Sequence, residues 1–123
     1  MAGFRMDRIG EQVRDELARL LRDEVSDPRV GMVSLTRVEV AADLSTASVF
    51  WSALDPNEAG VERVAAGLRS AAGFLRRRLA KELSLRRTPE LRFLHDPSLE
   101  LGARTLSLLR ELEEEEEEDG KAT

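Results

Sequence analysis

The sequence predicts a single α+β domain with helices packed on one face of a small sheet. Three observations carry this. Apolar residues recur at helical spacing over 7–25 and again over 61–83, whereas they alternate at strand spacing over 32–40 and 46–53. The two strand-like runs are separated by five residues, which suits an antiparallel hairpin. A length of 123 residues, 41% of them hydrophobic, supplies one core and little more.

In chain order, Ile9, Val13, Leu17, Leu20 and Leu21 form the buried stripe of a first helix. Arg8, Glu11, Arg14, Asp15, Arg19 and Arg22 lie around its other side. Pro28 disfavours a helical Asp27, so the helix is expected to stop at Ser26–Gly31. Met32–Val40 reads as a strand whose alternation slips between Leu35 and Val38, which predicts a bulge near Thr36-Arg37. After a turn over Ala41–Ser45, the strand Thr46–Ala53 places Ala47, Val49, Trp51 and Ala53 on one face.

Asp55-Pro56 is read as the cap and first turn of a second helical stretch. Its stripe runs through Val61, Val64, Leu68, Ala72, Leu75, Leu79 and Leu83. Gly73 interrupts that stripe at a cost of about 1 kcal/mol relative to Ala, so a bend or a close backbone contact is expected there. Residues 84–90 break the helix, and Leu91–His95 forms a third strand. Asp96-Pro97 opens a last amphipathic helix bearing Leu99, Ala103, Leu106, Leu109 and Leu112. The expected order is therefore α-β-β-α-α-β-α.

The net charge of −5 conceals an asymmetry. Residues 111–119 hold eight acids and no base, and they are read as a disordered acidic tail spanning 111–123. The domain proper, 1–110, has 18 basic against 16 acidic residues. From Arg63 to Arg92 there are nine basic residues and only two acids, Glu82 and Glu90. Such a stretch points to a polyanion.

Arg69, Gly73, Arg76 and Arg77 share one helical face opposite Leu68, Ala72, Leu75 and Leu79. A glycine among arginines lets a phosphodiester approach the backbone while guanidinium forks hold its oxygens. Arg78, Lys81, Arg86, Arg87 and Arg92 extend the candidate RNA-binding surface. A solvated helix face is the plainer alternative, weakened by the scarcity of acids over thirty residues. Phe50, Trp51, Phe74 and Phe93 look like core, so backbone and shape contacts fit better than base stacking.

Other chemistries find little support. With no cysteine there is no disulfide, thiol nucleophile or thiolate-ligated metal, in keeping with a reducing cytosol. A single histidine, His95, leaves no pair for a histidine-based metal site, and it is read as structural. Asp27, Asp43 and Asp96 could share a magnesium ion, but each stands in a turn or cap, where Asp is expected anyway. No phosphate-binding glycine loop or nucleophile elbow occurs. No cofactor or metal is expected. The absence of a long apolar run, at the start or elsewhere, predicts a soluble cytoplasmic protein.

Several segments taken together resemble the ribosome-binding factor A family. They are Asp27-Pro28-Arg29, Val38-Glu39-Val40, Asp43-Leu44-Ser45, Ala71-Ala72-Gly73-Phe74-Leu75-Arg76, Leu85-Arg86-Arg87-Thr88-Pro89-Glu90-Leu91-Arg92-Phe93 and Asp96-Pro97-Ser98. The resemblance runs from about Arg5 to about Leu109. It implies a type II KH-like domain (α-β-β-α-α-β) in which Ala71, Ala72 and Gly73 kink the middle helix. It also implies a non-catalytic factor, a monomer, that binds the immature 30S subunit and 16S rRNA during late maturation. The G-x-x-G loop of ordinary KH domains is absent from the eight glycines. The acidic tail lies outside the shared pattern. A KH-like module for another RNA, or an adaptor for an acidic protein, remains open at this point.

Overall fold

The structure, a computed structural model, describes residues 2–31, 33–54, 57–98 and 108–115. Helix α1 (Ala2–Asp23) leads through a 3-10 turn (Pro28–Val30) into β1 (Val33–Val40) and β2 (Thr46–Ala53). Helix α2 (Glu58–Glu82) then crosses to β3 (Glu90–His95). The sheet has the order β1-β2-β3. β1 and β2 pair antiparallel, with the register shifting between Leu35 and Arg37 where the bulge is expected. β3 runs parallel to β2, a pairing that requires a crossover, and α2 supplies it.

Both helices pack on the same face of the sheet. Val13, Leu17 and Leu20 of α1, Ala47, Val49 and Trp51 of β2, and Leu68, Leu75 and Leu79 of α2 form one buried cluster with Leu91 of β3. No described element covers the other face, and Phe50 stays outside the buried cluster: it alternates with Val49 and Trp51 and lies under the Arg37 guanidinium, 4.1 Å from the ring centre. Two glycines permit the close packing. A Cβ on Gly10 would stand 2.6 Å from the Val38 carbonyl oxygen, and one on Gly67 would stand 2.7 Å from Val30 Cγ1.

Two expectations need correction. The second long helix is capped by Asn57, whose side chain accepts from Gly60 N at 2.8 Å, rather than by Asp55. Asp55 and Pro56 lie outside the described residues. The two middle helices are one, since α2 continues through Ala71-Ala72-Gly73. Among the described residues no glycine has positive φ, and a Gly73 Cβ would meet nothing closer than Arg77 Nη1 at 3.4 Å. With Leu68, Leu75 and Leu79 all fully buried on one side, packing is satisfied on both sides of the glycine without a break. Residues 108–115 are helical, so the last helix, expected to carry Leu109 and Leu112, runs into the acidic run. Glutamate is a good helix former, and Arg110 stands three and four residues before Glu113 and Glu114. Leu99, Ala103 and Leu106 lie outside the described residues.

Candidate nucleic-acid interface

Helix α2 presents its basic residues on the side away from the core. At about 100° per residue, Arg69, Gly73, Arg76 and Arg77 fall within an arc of about 100°. All four are exposed, as is Lys81. The following loop adds Arg86 and Arg87, and β3 adds Arg92, all exposed. Among the described residues, none of these seven cations forms an ion pair, in contrast to Arg14, Arg19, Arg22, Arg29, Arg37 and Arg78. The basic surface is therefore electrostatically uncompensated.

Arg76 also fixes the loop from which the surface is built. Arg76 Nη2 donates to the Thr88 carbonyl at 3.1 Å, tying the loop to α2. Glu90 N donates to Ser45 O at 3.0 Å, which fastens the start of β3 to the hairpin turn. In that turn Asp43 Oδ1 accepts from Ser45 N at 3.0 Å and from the Ser45 hydroxyl at 2.6 Å. These bonds hold the Asp43 carboxyl below its ordinary range, and the positive charge of Arg87 adds to the effect.

Arg78 does not belong to this surface. It is half-buried and bridges to Glu24 at the end of α1 and to Glu82 at 3.4 Å, with its guanidinium 5.8 Å from the Phe74 ring centre. One residue beyond Arg77, the helix has already turned toward α1. A carboxylate partner from another element cannot be read from spacing along the helix. Arg78 is a tie between the helices.

Arg69 and Arg92 meet at a cleft of about 330 Å³ between α2 and β3, lined also by Trp51, Ala65, Ala72, Leu91 and Phe93. Trp51 is 2% exposed, and its indole N–H has no hydrogen-bond partner among the described residues. Its ring lies 4.8 Å from that of His95, centre to centre, so His95 packs at the strand end beside it. This cleft was not apparent from the sequence. Trp51, Arg69 and Arg92 are far apart in the chain, and Trp51 and Phe93 carry only the signature of core residues.

The aspartates considered for magnesium each serve a local turn. Asp27 Oδ1 accepts from Arg29 N at 2.9 Å, and Asp96 Oδ1 accepts from Ser98 N at 3.0 Å, while Asp96 Oδ2 accepts from Thr36 at 2.9 Å. No group of three or more potential metal ligands comes together among the described residues. No described helix is long and apolar enough to cross a membrane.

Comparison with known proteins identifies the family and the fold. The family model described as ribosome-binding factor A matches residues 5–109. A ribosome-binding factor A from Dechloromonas aromatica is 53% identical over 108 residues, covering 87% of this chain and 85% of the relative. One from Heliobacterium modesticaldum is 50% identical over 113 residues, covering 92% and 93%. The crystal structure of ribosome-binding factor A from Thermus thermophilus superimposes with a TM-score of 0.64 at 28% identity, covering 73% of this chain and 93% of that one. A homology model of the Thermus thermophilus factor, fitted into a cryo-EM map of its complex with the 30S subunit, gives a TM-score of 0.59 at 26% identity, covering 75% and 96%. With this KH-like fold, and with a family match that covers the basic surface and the cleft alike, the chain belongs to the ribosome-binding factor A family.

Proposed function

We propose that this protein binds the immature small ribosomal subunit in the cytoplasm, as a non-catalytic monomer, and assists late maturation of 16S rRNA. The observation that carries the RNA contact is the uncompensated basic surface formed by Arg69, Arg76, Arg77, Lys81, Arg86, Arg87 and Arg92. The family match, and the 30S complex of the Thermus thermophilus relative, support reading that RNA as the RNA of the small subunit. Guanidinium groups spread over a helix and the adjoining loop suit phosphates of folded RNA, with Gly73 leaving room for the backbone to come close. Arg78 is left out of the contact set, because Glu24 and Glu82 already neutralise it.

The test is Arg69→Glu combined with Arg77→Glu. Neither residue makes an internal hydrogen bond or ion pair among the described residues, so the melting temperature should stay where it is. Cosedimentation with immature 30S subunits should be lost. If about six phosphates are contacted, the affinity should fall with salt at a logarithmic slope whose limit is about −4, at about −0.7 per phosphate. A slope near zero would point to an acidic protein partner, and equal binding to unrelated RNA would point to a general RNA module.

A further inference from the structure

The C-terminal helix carries an apolar stripe with no described residue against it. Leu108, Leu109 and Leu112 are 55%, 51% and 56% exposed and fall within an arc of about 100°. A short amphipathic helix owes most of its stability to burying such a stripe. Beside it stand Glu111, Glu113, Glu114 and Glu115.

The α2–β3 cleft has the complementary make-up. Ala72, Leu91 and Phe93 offer apolar surface, and Arg69 and Arg92 offer positive charge that no described carboxylate meets. The unpartnered Trp51 indole in the same lining is a buried donor without an acceptor. Reach is sufficient. Twelve residues separate His95 from Leu108, spanning about 18 Å even at the helical rise of about 1.5 Å per residue, whereas β3 itself is about 20 Å long.

We propose that the C-terminal helix docks in cis into this cleft, with its leucines on Ala72, Leu91 and Phe93 and its glutamates toward Arg69 and Arg92. The docked helix guards two arginines of the RNA surface until RNA displaces it. The competition rests on the RNA-binding reading above, whereas the contact itself does not.

The chain has no cysteine, so Ala72→Cys with Leu109→Cys introduces its only two thiols. In the full chain without RNA, mild oxidation should close an intramolecular disulfide about tenfold faster than in a control pair, Glu11→Cys with Leu109→Cys, because docking raises the local concentration of one thiol at the other. Salt at about 1 M, where the Debye length is about 3 Å, should slow it. Equal rates in the two pairs would overturn the proposal, and so would a disulfide formed between two molecules.

A second variant, Leu108→Ser with Leu109→Ser and Leu112→Ser, keeps every charge. If the docked form holds about two-thirds of the population, this variant should bind immature 30S subunits about threefold more tightly. Unchanged affinity together with no preferential disulfide would sink the docking and leave the RNA reading standing. A preferential disulfide in a chain that binds no subunit would do the reverse.

Discussion

At Gly10 the closeness of α1 to the sheet depends on one missing methyl group. The nearest atom to an added Cβ is the Val38 carbonyl oxygen at 2.6 Å, and that atom belongs to a paired strand that cannot swing aside. Gly10→Ala should therefore destabilise the fold by about 1–3 kcal/mol, the usual cost of overpacking, despite the higher helix propensity of alanine. Thermal or denaturant melts of the two proteins would check this. An unchanged midpoint would mean that α1 can slide outward freely. Nothing in the sequence marks Gly10, because the contact is with a residue twenty-eight positions away. The aspartates are the opposite case, since their turn roles are legible from Pro28, Ser45 and Pro97 beside them. Hydrogen bonds from Ser98 and then Thr36 hold the Asp96 carboxyl below its ordinary range, and Arg29 does the same for Asp27. A lowered folded pKa contributes stability that is present above the unfolded value of about 3.9 and is lost as pH falls through the lower folded value. Asp96→Asn should thus remove part of the acid sensitivity below about pH 4, and melts across that range should show the two proteins converging as pH drops.

The secondary structure was legible wherever local pattern and packing agree. β2 is Thr46–Ala53 as read, and the slip of alternation in β1 corresponds to a register shift between Leu35 and Arg37. Both follow from a half-buried sheet, which forces one residue set to the core face. Helix α2 is harder, because Gly73 lowers helix propensity but the leucine stripe on either side of it keeps the helix against the sheet. The stripe decides the outcome. This sets up a test of what the glycine is for. Its φ is not positive and the space beside it is open except for the flexible end of Arg77, so Gly73→Ala should stabilise the isolated protein by about 0.5–1 kcal/mol. If Gly73 is present to let a phosphodiester come close, the same variant should bind immature 30S subunits more weakly. Greater stability with undiminished binding would show that the glycine has no part in the RNA contact.

At the scale of the whole molecule, the two ends of the charge distribution were visible in composition, but their spatial relation was not. The basic residues gather because α2, the loop after it and β3 adjoin in space, and Arg78 drops out for the same three-dimensional reason, the Glu24 carboxylate just past the end of α1. In net charge the acidic run outweighs this surface. Removing Glu111–Thr123 leaves 18 basic and 16 acidic residues, so the charge moves from −5 to +2. The residues removed include no member of the buried cluster, and the melting temperature should hardly change. RNA affinity at low salt should rise. RNA bound by the full chain must also displace or repel its own carboxylates, which take up cations as phosphates release them. The full chain should therefore show a shallower salt slope than the truncated one, whose slope should approach about −4 for six phosphates. The two titrations should draw together as ionic strength rises and the Debye length falls below about 8 Å. Parallel slopes with a constant offset would mean that the acidic run acts by some route other than charge. A large fall in melting temperature on truncation would mean that the fold itself needs the helical residues 111–115, beyond the small stabilisation that a helix docked in about two-thirds of molecules supplies.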